Sequence, residues 1–454
     1  MSDRKNATES EKRWSRWQQS AAGSIERTPE TVAPPIESGH VGSVGETDSF
    51  DPALGRHIWD TWPLRNRHGE IATVDGWQVL ISLTAPSDVA PGDRHDIAEH
   101  RYFVSQDGRT WQDGGRLFDD RALGTRQWAG SALIDDGELY LYYTAAGDED
   151  ADELTYTQRL AVAHGGRLDS SGERLTVEGP WSHEILLEPD GHWYETESQS
   201  GEMTYTFRDP WFFEDPETGE RYLLFEANTP VEPEECGGDR DQQEFNGCVG
   251  LAVSPSGDPL NWEFRPPIFD SVCVNQEIER PHLVVRDGQY YLFMSSHVDT
   301  FAPGLAGYDA LYGFVADSVG GDYQPLNNSG LVITNPATAP FQAYSWLVIP
   351  CGDELLVEGF VNYPGLAVET LDEIGSLSDA EQRQRFAGTL TPTLRLEITG
   401  DRTRIVGHLD PWQLPAESRL LPPIDEEWMP PAELLDPKPG LTPPDARRTD
   451  GPVW

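Results

Sequence analysis

Lysine is almost absent. Lys5, Lys12 and Lys438 are the only three in 454 residues, so the 33 basic residues are nearly all Arg, set against 78 acidic ones. The net charge of −45 repels nucleic acid and anionic membranes, and no partner of either kind is expected. No apolar run of about 18 residues exists, which leaves no candidate membrane span. No apolar stretch follows the basic N-terminal residues, so no standard signal peptide is expected. Cysteine is scarce too: Cys236, Cys248, Cys273 and Cys351. None forms a CxxC pair, which argues against a zinc site. Cys236 and Cys248 bracket an acidic, Gly-containing stretch and could close a loop disulfide in an exported protein, with free buried thiols as the equal alternative.

What is present in quantity is aromatic side chain, with 15 Trp, enough for a substantial core. Two of them flank a carboxylate in Ile58-Trp59-Asp60-Thr61-Trp62-Pro63. Proline is confined to strand ends, edges and bulges, so Asp60 is placed where a strand opens into a cleft. Indole faces suit the C–H faces of sugar rings, and a carboxylate can take hydroxyls or attack carbon. A capping Asp among core tryptophans is the plainer reading of this fragment alone.

From Ile58 onward an apolar run enters a tight turn and leaves as a second apolar run five times. The turns lie at Asp75-Gly76, Asp136-Gly137, Asp215–Gly219, Asp287-Gly288 and Gly352-Asp353. Asp-Gly between alternating apolar runs is a strong hairpin signal. The turn glycines recur at intervals of 61, 82, 69 and 64 residues. A hairpin-based repeat of that size predicts an all-β fold, a five-bladed β-propeller of four-stranded blades with a central funnel-shaped active site. A pair of β-sandwiches leaves the motif before each hairpin unexplained, and a TIM barrel needs regular alternating helices that are absent. A helix is expected near Ser378–Phe386, where Ser378 and Glu381 have capping-box spacing. The expected organisation is a polar arm over 1–48, a catalytic propeller over 49–411 and a proline-rich strap over 412–454. In the arm a short amphipathic helix is expected around Glu9–Ala21, with Trp14 and Trp17 on one face and the remainder extended and poorly ordered. Trp412 and Trp428 are the expected anchors of the strap.

The residues just before each hairpin are Trp59-Asp60, Gln127–Ser131 with Trp128, Arg208-Asp209-Pro210, Glu277-Ile278-Glu279-Arg280 and Gln342–Ser345 with Tyr344. In a propeller the inner strands converge, which gathers Asp60, Asp209 and Glu279 with Arg208 and Arg280 at one mouth. Like charges in a funnel raise one another's pKa, a cost that an acid/nucleophile pair exploits.

These motifs, over about Phe50 to Pro411, resemble the levansucrase and inulosucrase family of fructosyltransferases (glycoside hydrolase family 68). The resemblance implies a retaining reaction on sucrose. Asp60 is then the nucleophile, Glu279 the general acid/base, and Asp209 the transition-state stabiliser. Retention expects the Asp60 and Glu279 carboxyls roughly 5–5.5 Å apart. Trp59, Trp128, Ser131, Arg208, Glu277, Arg280, His297 and Tyr344 are the expected substrate-binding residues. Three positions depart from the family's pattern. Ala129 stands where Ser is frequent, Trp346 follows Tyr344-Ser345 where His is usual, and Gln276 precedes Glu277 where calcium-binding members carry Asp. No cofactor is therefore expected, calcium included. The alternatives are a hydrolase of sucrose or another furanoside, and a sugar-binding propeller without chemistry. Substrate location favours extracellular work by a monomer.

An acidic coat with almost no lysine suits molar salt, where charge is screened over about 3 Å. Dialysis into low-salt buffer is expected to lower the melting temperature and the activity; an unchanged melting temperature and full activity would refute salt adaptation.

Overall fold

The computed structural model describes residues 14–36, 55–118, 122–201, 203, 205–368, 370–424 and 426–435. The fold is all-β. Five successive antiparallel meanders of neighbours in sequence account for most of the strands, the first two joined by parallel pairing of their first strands into one eight-stranded sheet. The first unit comprises Arg56–Asn66, Gln78–Pro86, Glu99–Ser105 and Gln112–Arg116. The second comprises Arg126–Asp135, Glu138–Ala146, Gln158–His164 and Ser182–Leu187. The third holds Phe207–Glu214, Arg221–Asn228, Gly247–Val253 and Glu263–Asp270. Glu279–Arg286, Gln289–Ser296 and Ala310–Ala316 build the fourth, edged by Gln324–Pro325 and Leu331–Thr334. Ala343–Cys351, Glu354–Val361, Pro392–Thr399 and Arg402–Pro411 build the fifth. The first strands of successive units touch in order, and that of the fifth touches that of the first.

The strands next to these first strands are almost wholly buried because both faces are covered, as in Gln78–Pro86, where only Pro86 is exposed. At Asp136-Gly137 the backbone takes φ of 49° and 86°, and at Asp287-Gly288 it takes 52° and 72°. Two consecutive left-handed residues define the turn whose twist matches a right-handed hairpin. The first unit differs from the sequence reading. Ile71–Val74 is not its strand; the strand is Arg56–Asn66, and Asp75-Gly76 closes only the small Val74–Trp77 bridge inside the connection. Pro63 is tolerated inside that strand because it follows a register break, and parallel pairing with the second unit starts only at Leu64. The expected helix is present as Asp379–Arg385, capped by Ser378 and Glu381 in a capping box.

The N-terminal arm differs more. The segment 14–36 is packed, while residues 37–54 and the start of the expected helix lie outside the described residues. Within Glu9–Ala21 the described part forms a strand, Ser15–Arg16, and the chain becomes helical only over Gln19–Ala22. Ser15 and Arg16 add a parallel strand to the third unit. Trp14 donates to Asp270, whereas Trp17 is 1% exposed, ringed by Phe301, Tyr312 and Phe314 at 5.0–5.6 Å, and donates to Ser329 O. An extended backbone sends the two indoles to different partners, which a helix would not do. After Pro411, Trp412 Nε1 donates to Thr389 Oγ1, and Trp428 Nε1 donates to Val32 O.

The disulfide joins Cys236 to Cys273, not to Cys248. Cys248 lies on a central strand of the third unit, facing a core that includes Leu223 and Phe225. Cys236 and Cys273 sit together with Val272 on the loop side. Cys248 and Cys351 are free and buried.

Because Trp17 fills the junction of the third and fourth units, Trp17→Ala should destabilise the protein by about 3–5 kcal/mol in denaturant titration at fixed molar salt. A loss under about 1 kcal/mol would mean that the arm only rests on the fold.

Candidate active site

Each of the five first strands breaks register at the same place. The breaks fall between Trp59 and Trp62, Trp128 and Gly130, Arg208 and Trp211, Glu279 and His282, and Tyr344 and Leu347. A bulge frees residues from the ladder and re-aims their side chains. Four of the freed residues are left-handed: Asp60 at φ 46°, Asp209 at 59°, Arg280 at 50° and Ser345 at 58°. Such backbones cost about 1–3 kcal/mol each and persist where packing fixes them. The second unit solves the geometry differently: a Cβ on Gly130 would lie 2.0 Å from Tyr142 O, so only glycine fits. Asp60 and Asp209 thus occupy equivalent places, while Glu279 stands one residue earlier, level with Trp59, Trp128, Arg208 and Tyr344.

Around the bulges lies an open pocket. Its electrostatic centre is Arg208. Nε donates to Glu226 Oε2 at 2.7 Å, and Nη2 donates to Glu279 Oε1 at 3.0 Å and to Glu277 Oε1. Glu226 has no exposed surface and its carboxyl is raised well above the usual range, by burial first, against the pull of Arg208. Glu279 is pushed up to about 7, by burial and then by Glu277, while Arg208 and His297 oppose. Asp209 rises to about 6 through burial and the nearby Asp60, with Arg208 and Arg280 opposing. These shifts are what close carboxylates in a poorly solvated cleft produce.

The carboxylates are held from several sides. The Tyr344 hydroxyl donates to Glu279 Oε2. His297 stacks on Tyr344 with ring centres 3.6 Å apart. Its Nδ1 lies 3.1 Å from Asp309 Oδ2, and its Nε2 lies 3.7 Å from Glu279 Oε2. Each ring nitrogen of His297 thus faces a carboxyl group, which fixes the ring's orientation. Asp209 Oδ2 accepts from the Arg280 backbone N–H at 3.0 Å, and the Asp209 N–H donates to Thr144 Oγ1. The pocket wall holds Trp59, Trp128 and Ala129, with Trp128 Nε1 donating to His95 O at 2.8 Å.

The Levansucrase/Invertase family, glycoside hydrolase family 68, matches residues 9–410 of this chain. The chain belongs to this family. It is 36% identical over 401 residues to levansucrase LscA of Pseudomonas savastanoi pv. glycinea, covering 80% of this chain and 89% of that one. It is 34% identical over 376 residues to the extracellular sucrase of Zymomonas mobilis, covering 79% and 87%. Among solved structures, an inulosucrase from Halalkalicoccus jeotgali bound to kestose superposes with a TM-score of 0.85 at 55% identity, covering 90% of this chain and all of that one.

Of the site residues expected in this family-68 chain, Trp59, Asp60, Trp128, Arg208, Asp209, Glu277, Glu279, His297 and Tyr344 line the pocket. Ser131 and Arg280 are not among its lining residues. Ser131 is fully buried; its hydroxyl donates to Pro210 O and accepts from Phe212 N–H, tying the second unit to the third. Arg280 is turned inward, donating to Ser345 O and Oγ at 2.9 Å and to Thr61 O at 2.6 Å. Sequence reasoning missed Arg94 and His95, which line the pocket from the Gly92–Ile97 turn. The Arg94 guanidinium lies 5.1 Å from the Trp59 ring and 4.9 Å from that of Phe386, and burial pushes it down to about 10. No motif marks that turn. Glu226 was missed too, although a single acid within Leu223-Leu-Phe-Glu-Ala227 is a visible signal. Gln276 is buried, its N–H donating to Thr300 O and its carbonyl accepting from Asn228 Nδ2. No group of three or more His, Cys, Asp or Glu among the described residues is placed to hold a metal ion.

Removing the one cation at the centre of this cluster leaves buried carboxylates without a counter-charge. Arg208→Gln should therefore destabilise the fold by about 3–5 kcal/mol at neutral pH. Denaturant titration checks this, and a loss below about 1 kcal/mol would contradict Arg208 as the counter-charge.

Proposed function

We propose that this family-68 enzyme cleaves sucrose by a retaining double displacement and passes the fructosyl unit to sucrose, a growing fructan or water. The observation that carries the reading is one pocket lined by Asp60, Asp209 and Glu279 with Arg208, in which burial and Glu277 push the Glu279 carboxyl up to about 7. Asp60 attacks the anomeric carbon of the fructosyl unit while Glu279 protonates the departing glucosyl oxygen. Glu279 then takes a proton from the acceptor hydroxyl, which opens the fructosyl–Asp60 ester. Asp209 remains a carboxylate, balancing the oxocarbenium-like charge and holding hydroxyls. Arg208 and Glu277 grip the sugar at the glucosyl side, with Trp59 and Trp128 as walls and His297 and Tyr344 orienting Glu279.

The ring of touching first strands supports a five-bladed β-propeller with the pocket at its centre. The catalytic unit is read over 49–411, after an arm over 1–48 and before a strap over 412–454 whose described part is anchored through Trp412 and Trp428; residues 1–13, 37–54 and 436–454 lie outside the described residues. The 55% identity to an inulosucrase, against 36% to a levansucrase, favours inulin-type linkage. An extracellular monomer suits a substrate and product found outside cells.

Asp60→Asn should abolish turnover in folded protein, since the ester cannot form; substantial residual sucrose cleavage refutes the nucleophile. Glu279→Gln should cost about 10²–10⁴-fold on sucrose and far less on a fructosyl donor with a good leaving group. Equal losses on both donors would contradict acid catalysis. Glu279 must be protonated to act as the acid, so kcat/KM should fall as pH rises through about 7, and Glu277→Gln should move that limb to lower pH. A basic limb that Glu277→Gln leaves in place would contradict the assignment.

A further inference from the structure

Behind the Trp128 wall lies a separate cavity of about 490 Å³, whose lining shares no residue with the catalytic pocket. Small-molecule sites span about 300–1,000 Å³. Two short stretches form the partition. In the Gly92–Ile97 turn, Arg94 and His95 line the pocket, while Asp96 and Ile97 line the cavity. On the first strand of the second unit, Trp128 lines the pocket and Gln127 the cavity, as successive side chains of a strand point to opposite faces. The stretches are tied together by Trp128 Nε1 donating to His95 O and by the Gln127 N–H donating to Ala98 O. The cavity also stands level with the bulges. Ile58 pairs with Thr84 and Thr84 with Glu99, while Trp59 pairs with Leu83 and Leu83 with His100. Glu99 and His100 line the cavity, so it opens abreast of the residues just before Asp60.

The lining sets an apolar face among hydrogen-bonding groups. Four large apolar side chains are exposed among the described residues, and Ile97 in the cavity, at 48%, is one of them. Another is Leu154, at 51%, two residues from Tyr156. Exposed apolar surface rimmed by polar groups marks binding grooves. The half-buried Gln127 amide has no hydrogen-bond partner among the described residues. Glu99 pairs with the exposed Arg116, which puts a carboxylate and a guanidinium side by side in the lining. Tyr156 bridges the two hollows. Its hydroxyl donates to Asp96 Oδ1 at 3.2 Å, and its ring centre lies 6.5 Å from that of Trp128. A chain of furanosyl units presents hydroxyls and C–H faces in turn. Amide, carboxylate and guanidinium suit the first, and an aliphatic side chain suits the second.

We propose that this cavity binds the already-built part of a fructan acceptor, which leaves the pocket over Tyr156 and is held beside Ile97 and Gln127 between transfers. This rests on the fructosyl-transfer reading above. The double variant Ile97→Ser/Gln127→Ala changes the cavity and leaves the pocket lining intact. Glucose release from sucrose should stay within about twofold. The KM for long inulin- or levan-type oligosaccharide acceptors should rise about tenfold, the loss of one amide hydrogen bond and one apolar contact, and the products should shorten. Unchanged product lengths with an unchanged KM for long acceptors overturn the proposal, as does an equal loss with short acceptors. Crystals of Asp60→Asn protein soaked with the same oligosaccharides give a readout that needs no cavity variant. Sugar units against Ile97 and Gln127 are expected; a chain that leaves the pocket elsewhere, or no chain beside these residues, overturns the proposal. Oligosaccharide found in the cavity of a protein whose unmodified form releases no glucose from sucrose would refute the sucrose reading alone.

Discussion

One guanidinium among carboxylates sets the terms for the rest of this molecule. Arg208 bonds Glu226, Glu277 and Glu279, and also acts on Asp209. Burial raises the carboxyl pKa values at Glu226, Asp209 and Glu279, the neighbouring acids raise them further, and Arg208 opposes the rise at all three. A carboxyl raised toward neutrality, as at Glu279, is the condition for a general acid to work in a pocket of carboxylates. Structure and chemistry thus draw on the same electrostatic cost.

The cluster can exist because five strands bulge at one level. The bulges need unfavourable backbones at Asp60, Asp209, Arg280 and Ser345, and these are held by burial of the neighbouring strands on both faces and by bonds across units. Arg280 ties the fourth unit to the first and fifth, and Ser131 ties the second to the third. The two residues expected to bind sugar and found facing inward are therefore those that keep the units in phase.

Much of this was legible in the sequence, and the failures have physical causes. Turns built on Asp and Gly announce themselves through backbone preference, two of them as Asp-Gly pairs, so four of the five hairpins and the Ser378 capping box could be placed from local chemistry. The Asp75-Gly76 turn misled because the same chemistry also closes small bridges inside a connection. The motif residues were legible as a set, but the direction in which Arg280 or Ser131 points depends on a bulge, which shifts side chains without any mark in composition. The disulfide partner depended on which cysteine faces the core, a matter of strand register. Trp17 was readable as apolar but not as the plug between two units that begin about 190 and 260 positions later in the chain. Arg94 stood in a turn with no pattern at all. A single acid in an apolar strand, Glu226, was visible in the sequence and was passed over.

The acidic coat and the site belong together: a surface with 78 acidic against 33 basic residues repels itself unless salt screens it, while the buried cluster lies beyond the reach of that screening. The most direct test is a time course of unmodified protein on sucrose in molar salt, with free glucose and free fructose measured separately. The account predicts glucose released in excess of fructose, the missing fructose appearing in transfer products. Folded protein that releases neither sugar would contradict it.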